Sequence, residues 1–319
     1  MDEHTDFIFL DENKMHITII LILLYVCMPL FLASCQSSWQ QPIPDGEIVY
    51  MSYLYDPYEL GFFHANGGNN QTLEIDQAFE KPVWSNDGKF LFGLSGGIAS
   101  YIGYPAYWDL EKGCFKVCND LPYFGQIQGS GNVENPYEVI IQGPWEIIVM
   151  DLSRCVQVQT LVDYTADPGD FSIGGFSYSP STQELVYGLV YNDREYKIML
   201  LDIKTGEQFQ LAEGINPTWS PDGTRIAYLG LDGLYVMLSN GAEPRQLVNQ
   251  PFFDALRIGN QADLRTVPRW SPDGEWLVYH RCSTPNICMM EDAQIYKIRS
   301  SGGSEEKILT GGQYPSWRP

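Results

Sequence analysis

The sequence predicts an all-β fold: a six-bladed β-propeller of four-stranded antiparallel blades, with the ring closed by the C-terminal strand joining the first blade. A Trp-Ser-Pro-Asp-Gly turn recurs with apolar flanks, and no long amphipathic helix pattern follows residue 45. The two chain ends also hold incomplete units that complement each other. Recurrence of one strand–turn–strand unit at wide intervals indicates a repeat architecture.

Each residue of the repeated turn has a physical reason. The turn reads WSPDG at Trp219–Gly223 and Trp270–Gly274, and WSNDG at Trp84–Gly88. Proline presets φ at the second turn position, aspartate accepts hydrogen bonds from nearby backbone amides, and glycine adopts a positive φ without a Cβ clash. The apolar and aromatic runs that follow indicate β-hairpins rather than helices.

The turn-centred units follow one another along the chain. Each supplies an inner strand, A, before the turn and strands B, C and D after it. Complete units begin at Lys81, Phe124, Ile173, Ile215 and Thr266, and the second of them is degenerate. Residues 46–77 supply three strands without an inner one, and Tyr314–Arg318 supplies one inner strand alone. Together the two ends make a sixth blade, and the closed ring has no free sheet edges at its ends.

The repeat resembles that of TolB-type β-propellers. The resemblance rests on W-S-P-D-G-x-x-[IL]-[AV]-Y, followed by IY or IMLLD and then by LT or QLV, and it covers about Gly46–Pro319. It is strong in the units from Ile215 and Thr266 and weak over Phe124–Val162. It implies the propeller fold and, for most such proteins, an interaction domain in the cell envelope. The motif itself says little about activity.

The N-terminus predicts export and lipidation. Ile17–Ala33 is an uncharged apolar run that ends in small residues before Cys35. This pattern resembles the bacterial lipoprotein signal, which implies a signal peptide over residues 1–34 and a lipid on the Cys35 sulfur. Residues 35–45 would then be the lipidated cysteine and a polar linker, followed by the propeller over residues 46–319.

The first residues depart from that signal pattern. Residues 1–14 carry five acids and one base, Lys14, although a signal normally starts with positive charge. Translation from Met15 and an uncleaved membrane helix are therefore alternatives. In each case the chain is expected to be exported and tethered to the cell membrane or the outer membrane of a bacterium.

The charge of the chain limits its partners. The formal net charge is −21, and −17 remains without residues 1–34. So acidic a domain is a poor nucleic-acid binder, and anionic lipid headgroups would repel it. We expect a monomer without a nucleic-acid partner, held at the membrane by lipid rather than by charge.

Cysteine and histidine usage argues against a metal cofactor. Cys282 and Cys288 flank a short segment and could form a disulfide in an exported protein. There is no C-x-x-C motif, and only two histidines follow residue 34. We expect no cofactor. Asp167–Asp170 and Tyr191–Tyr196 could hold Ca²⁺, but neither segment has EF-hand spacing, so solvated loops are the alternative.

Binding residues are expected on one face of the ring. Strand alternation places the A–B and C–D turns on one side, the turn face, and the B–C and D–A connections on the other, the loop face. Long individual connections on a rigid scaffold usually carry binding. The predicted binding residues are Tyr55, Asp56, Tyr58, Tyr101, Tyr104, Trp145, Asp193, Phe252 and Phe253. The alternative is that these aromatics only pack connections onto the blade ends.

The sequence therefore favours a lipid-anchored, non-catalytic module that binds a cell-envelope protein or a polysaccharide through its loop face. A G-x-S-x-G match at Gly93–Gly97 lacks the strand–turn–helix context of a nucleophile elbow. No other catalytic constellation is visible. The alternative is a glycan lyase or hydrolase that uses acidic residues in the central funnel, which the spacing of inward-facing carboxylates would reveal.

Overall fold

The computed structural model describes residues 36–38, 46–53, 58–75, 78–96, 103–119, 125–166, 169–192, 195–252, 266–282 and 292–319. The chain divides into two compact units, Met1–Ser38 and Trp39–Pro319. Within the first unit, strand β1 covers Gln36–Ser38. Over the described residues we find no helix with the length and apolar character needed to span a bilayer.

The second unit is a ring of six four-stranded antiparallel sheets, as the sequence predicts. From strand A to strand D, blade 1 comprises β25 (Gln313–Trp317), β2 (Ile48–Tyr53), β3 (Tyr58–Phe63) and β4 (Gln71–Ile75). Blade 2 comprises β5 (Glu80–Trp84), β6 (Phe90–Ser95), β7 (Tyr104–Asp109) and β8 (Cys114–Val117). Blade 3 comprises β9 (Ile127–Gly129), β10 (Glu138–Gln142), β11 (Glu146–Asp151) and β12 (Val156–Asp163).

The other three blades follow the same order. Blade 4 comprises β13 (Phe171–Ser179), β14 (Glu184–Tyr191), β15 (Tyr196–Asp202) and β16 (Gln208–Ala212). Blade 5 comprises β17 (Ile215–Trp219), β18 (Arg225–Gly230), β19 (Gly233–Leu238) and β20 (Arg245–Val248). Blade 6 comprises β21 (Arg269–Trp270), β22 (Trp276–Cys282), β23 (Ala293–Arg299) and β24 (Glu306–Thr310).

The C-terminal strand closes the ring, which confirms the prediction made from the incomplete end units. Strand β25 pairs antiparallel with β2, with Ile48 opposite Trp317 and Val49 opposite Ser316. The amide of Arg318 donates to the carbonyl of Glu47 at 2.7 Å and extends this pairing. The two ends of the described propeller chain therefore share one sheet.

The A–B turns have the geometry expected from their residues. In the turn of blade 5, Ser220 Oγ donates to Asp222 Oδ1 at 2.5 Å and accepts from the amide of Arg225 at 2.9 Å. The glycine that follows the aspartate has φ 69° in all three turns, namely Gly88, Gly223 and Gly274. The same serine–aspartate bond recurs in blades 2 and 6. These polar side chains stabilise the turns themselves.

The C–D turns use a second aspartate, at the end of strand C. Asp109, Asp151 and Asp202 each accept a backbone amide two or three residues further on. Asp151 is only 3% exposed and also accepts from Arg154 Nε at 2.8 Å and Asn135 Nδ2 at 3.0 Å. Burial would raise the pKa of Asp151, but these hydrogen bonds outweigh it and lower the pKa to about 2.

Where a blade has the repeat tryptophan, this residue packs the inner strand against the preceding blade. Trp84 contacts Phe62 of blade 1 edge to face, at 6.5 Å between ring centroids. Trp270 donates its indole N–H to the Thr218 carbonyl of blade 5 at 3.1 Å and lies under the Arg225 guanidinium. Each blade thus buries apolar area against its neighbours, the contact that stabilises repeat folds.

Blade 3 lacks the repeat tryptophan and has a disulfide instead. Gly129 stands at the tryptophan position, where a Cβ would lie 3.2 Å from the Phe92 ring of blade 2. Cys118, just after β8, bonds to Cys155, just before β12, so the disulfide joins blades 2 and 3. Cys114 and Cys282 are also disulfide-bonded. The predicted partner Cys288 lies outside the described residues, so that pairing stays a prediction.

We expect Asp151→Asn to lower the free energy of unfolding by about 2 kcal/mol at neutral pH, because the variant loses the charge that accepts hydrogen bonds from Ser153, Arg154 and Asn135. The native carboxyl has a lower pKa than the unfolded one, so its contribution is present above about pH 4 and is lost as the pH falls toward 2. Urea unfolding of both proteins across this range should show the difference shrinking. Asp202→Asn, in the corresponding turn of blade 4, is the control. A difference that stays constant with pH would contradict the assignment.

Candidate binding site at the mouth of the central channel

Three inner strands carry the same backbone irregularity where they begin, on the loop face. Lys81, Asn216 and Tyr314 have φ values of 53°, 50° and 53°, which are uncommon for residues other than glycine. Each precedes a proline, in the sequences EKPVW, INPTW and QYPSW. The strand register shifts at these points, as in a β-bulge. Bulges re-aim side chains and are common beside functional sites.

The inner strands begin around the loop-face opening of the central channel, which we call the mouth. A chain of hydrogen bonds links the blades around this mouth. Lys81 Nζ of blade 2 donates to the Gly125 carbonyl of blade 3 at 3.0 Å. Gln126 Nε2 donates to Asn216 Oδ1 of blade 5 at 3.1 Å, and Asn216 Nδ2 donates to the Thr266 carbonyl of blade 6 at 2.8 Å. The bond between Gln126 and Asn216 therefore joins two blades that are not neighbours.

A glycine in blade 4 leaves space for the hydrogen bond between Gln126 and Asn216. Gly175 has φ 89°, and a Cβ there would collide with Asn216 Oδ1 and lie 2.8 Å from Gln126 Nε2. Both the backbone conformation and the available space require glycine at this position. The Gly-Gly pair at 174–175 is the sequence signal of this close approach.

His280 joins the mouth to the closing strand. Thr266 donates its hydroxyl to the His280 carbonyl at 2.9 Å, so Thr266 Oγ1 can accept from His280 Nε2 at 3.2 Å. His280 Nδ1 accepts from the amide of Tyr314 at 3.2 Å. These roles assign the neutral tautomer with hydrogen on Nε2. The imidazole is fully buried, with the Tyr314 ring 5.0 Å away between centroids.

Two buried acceptor atoms at this mouth lack a hydrogen-bond partner among the described residues. Gln142 lies opposite Gln126 in the sheet, and the amide of Gln142 donates to the Gln126 carbonyl at 3.0 Å. Gln142 Nε2 donates to the Ile173 carbonyl at 2.7 Å. Oε1 of both glutamines is buried and unpartnered. An unmet buried acceptor costs about 1–3 kcal/mol, so these atoms favour a bound donor such as water or a ligand hydroxyl.

The predicted binding residues are only partly described. Trp145, at the tip of the β10–β11 hairpin on the loop face, is 39% exposed and donates its indole N–H to the Phe171 carbonyl at 3.0 Å. Tyr104 is half-buried at the start of β7, and Tyr58 begins β3. The remaining predicted residues of this face and the lipidation site lie outside the described residues: Tyr55, Asp56, Tyr101, Asp193, Phe253 and Cys35.

Phe252 lies in the core rather than on the surface. It is 6% exposed, and its ring packs edge to face on Tyr279 at 5.3 Å. The Arg281 guanidinium lies 6.0 Å from the ring centroid. This placement favours the alternative in which an aromatic residue fixes a connection onto the end of its blade.

The two candidate Ca²⁺ segments lie side by side where they are described. The amide of Asn192 donates to the Asp170 carbonyl at 2.7 Å, and Asn192 Nδ2 lies 3.4 Å from Asp170 Oδ1. Asp167 and Asp193 lie outside the described residues, so a Ca²⁺ site stays a prediction. Within the described part of the chain, no group of three or more His, Cys, Asp or Glu residues suits a metal ion.

A pocket on the turn face was not expected from the sequence. It has a volume of about 550 Å³ and lies between blades 6 and 1. Trp276 forms part of its wall and has Lys297 Nζ 4.7 Å and the Arg299 guanidinium 4.5 Å from its ring. Trp317 and Arg318 of the closing segment line the pocket as well. The sequence marks this face only by tight turns, so nothing local predicted a concave surface.

We expect Gly175→Ala to be more destabilising than Gly206→Ala. Both glycines are in blade 4 with positive φ, but a Cβ at Gly206 meets no atom within 4 Å. The control should lose about 1 kcal/mol from backbone strain alone. Gly175→Ala should lose about 2 kcal/mol more, because it displaces the Gln126–Asn216 bond. Chemical unfolding measures both. Equal losses would mean that this bond contributes nothing.

Comparison with known proteins places the chain by fold rather than by family. No family model matches it. An uncharacterized protein of Agrobacterium fabrum is 24% identical over 257 residues, which are 78% of this chain. The match covers only 63% of that relative, so the chain spans less than two thirds of its length.

Solved structures also place the chain by its fold and not by a family. TolB from Acinetobacter baumannii superimposes with a TM-score of 0.62 at 18% identity, over 86% of this chain and 68% of TolB. A protein described as TolB from Agrobacterium tumefaciens gives 0.54 at 17% identity, over 76% and 86% of the two chains. A chain of the nidogen/laminin complex gives 0.61 at 12% identity, over 85% and 98%. At such low identity these likenesses establish the fold alone: the chain is a six-bladed β-propeller similar to the propeller of TolB.

Proposed function

We propose that this protein is a non-catalytic binding module of the bacterial cell envelope, which engages a protein or a polysaccharide through its loop face. The observation that carries the proposal is the polar mouth of the central channel, where Lys81, Asn216 and Tyr314 are held in unusual backbone conformations. Strain of this kind persists where the surrounding structure enforces it, and it is concentrated at functional sites.

The chemistry of the mouth suits recognition. Its described hydrogen bonds join amide, hydroxyl, imidazole and ammonium groups, at Gln126, Asn216, Thr266, His280 and Lys81. Such groups bind hydroxyls and peptide groups of a partner, and the buried Oε1 atoms of Gln126 and Gln142 add acceptors for its donors. The likeness in fold to TolB supports the same assignment.

The enzyme alternative has less support. A glycan hydrolase needs two carboxylates placed on either side of the scissile bond. Among the described residues, the hydrogen bonds that link Lys81, Gln126, Asn216, Thr266 and His280 involve no carboxylate. The binding function therefore accounts for more of the described geometry than acid–base catalysis by acidic residues in the funnel.

The partner-binding surface can be tested with two tryptophans on opposite faces. We expect Trp145→Ala, on the loop face, to weaken binding of the immobilised protein to solubilised envelope protein or polysaccharide by about tenfold or more, because exposed aromatic anchors dominate interfaces. Trp276→Ala on the turn face should bind normally. Circular dichroism shows whether both variants fold. Loss of binding only in Trp276→Ala would move the site to the turn face, and absence of any saturable binding by the unmodified protein would contradict the proposal.

Lipid anchoring at Cys35 is part of the proposal. We expect the full-length protein to partition into the detergent phase of a Triton X-114 extraction of its host cell, and Cys35→Ser to keep residues 1–34. If the cysteine is lipidated, the unmodified protein has a faster electrophoretic mobility than the uncleaved variant, because residues 1–34 are removed only after lipid transfer. Equal electrophoretic mobility of the two proteins would contradict lipidation.

A further inference from the structure

Arg269 occupies the inner strand of blade 6, near the axis of the ring. Strand β21 contacts the inner strands on both sides, β17 of blade 5 and β25 of blade 1. In this architecture the inner strands surround a central channel. Arg269 lies directly before the repeat tryptophan and pairs with Val278. We call the residues at this position of each inner strand the axial rung.

In blades 3 and 4 the side chain of the axial rung bonds to the backbone of the next inner strand. In blade 3, Gln128 donates to the Tyr178 carbonyl at 2.9 Å and accepts from the Tyr178 amide at 3.1 Å. In blade 4, Ser177 Oγ accepts from the Trp219 amide at 3.1 Å. These side chains therefore extend from one inner strand toward the next around the axis.

Blades 5 and 6 break that pattern. Thr218 is the rung residue of blade 5, and its Oγ1 is buried without a hydrogen-bond partner in the described structure. The Arg269 guanidinium of blade 6 makes no described hydrogen bond or ion pair. Donor groups at the rung positions of two consecutive inner strands, those of blades 5 and 6, are thus left without acceptors in the described structure.

Other arginines of the propeller do have acceptors. Arg225 donates to Ser300 Oγ at 3.0 Å and to the Gly274 carbonyl at 2.9 Å. Arg245 donates to the Ser300 carbonyl at 2.6 Å, and Arg281 pairs with Glu305 at 2.7 Å. Arg269 differs from these three, although acids outnumber bases by more than two to one in this chain.

The environment of the Arg269 side chain makes an unpaired charge costly. The residue keeps some exposed surface, yet burial lowers the pKa of its guanidinium to about 10, with no charged neighbour contributing. A guanidinium at that pKa still carries its charge at neutral pH. Charges removed from water are normally paired and hydrogen-bonded, because desolvation without a partner is strongly unfavourable.

We propose that Arg269 binds a small oxyanion, a carboxylate or phosphate group, in the central channel, with the Thr218 hydroxyl as a second donor. The planar fork of a guanidinium matches two oxygens of such a group through parallel hydrogen bonds. The group can belong to a free inorganic ion or to an organic acid that enters the channel. This anion site is independent of the partner that the loop face binds.

The site can be tested by titrating the full chain with sodium phosphate and, separately, with sodium acetate at constant ionic strength. We expect the Tm of the unmodified protein to rise in a saturable way by about 2–4 °C, because an anion that binds only the folded state stabilises it. Arg269→Met should show no saturable rise and should have the higher Tm in anion-free buffer, since it removes an uncompensated charge. Isothermal titration calorimetry measures the same binding directly.

Two further variants complete the experiment. Arg299→Gln, in strand C of the same blade on the outer surface, should respond like the unmodified protein. Thr218→Val keeps the guanidinium and should weaken binding several-fold, and it keeps the test decisive if Arg269→Met does not fold. A response to phosphate identifies a free-ion site, and a response to acetate alone identifies an organic carboxylate. Equal responses of all four proteins, or no binding heat with the unmodified one, would overturn the proposal.

Discussion

The pairing of β25 with β2 is the interaction on which the rest of the structure depends. Each blade can bury both of its faces only if it has a neighbour on each side, so an open array would leave two apolar faces in water. The closing strand also carries Tyr314, whose amide bonds to His280, and Trp317, which lines the turn-face pocket. One strand therefore completes the core, the mouth and the opposite surface together.

Each position along an inner strand carries either apolar groups that pack between blades or polar groups that lie near the axis. The repeat tryptophans pack outward against the preceding blade, while the residues just before them reach around the axis. Nearer the loop face, Lys81, Asn216 and Tyr314 adopt positive φ and turn polar or aromatic groups toward the mouth. A following proline favours an extended conformation in the residue before it, so the surrounding structure must hold the positive φ at these three positions. Polar groups thus collect on the axis while the spaces between blades stay apolar.

The sequence predicted the blade number, the closing strand and the turn geometry because short local sequence patterns indicate each of them. The Ser-Pro-Asp-Gly residues determine the conformation of their own turn. The three strands at the N-terminal end and the one strand at the C-terminal end complete a blade only when they pair. The mouth was not predictable in the same way, since the bond between Gln126 and Asn216 joins residues from separate blades. The Cys118–Cys155 pair depends on blade adjacency, and the burial of Phe252 depends on Tyr279. Arg269 stands out only once the described structure shows its guanidinium without a hydrogen-bond or ion-pair partner.

The disulfide between blades 2 and 3 has a consequence for how the seam between these blades is held. Blade 3 has neither the tryptophan nor the Ser-Pro-Asp-Gly turn, and its inner strand is only three residues long. The Cys118–Cys155 bond ties this blade covalently to the adjacent sheet. Under reducing conditions this covalent tie is lost, and the apolar packing between blades 2 and 3 must hold the seam alone.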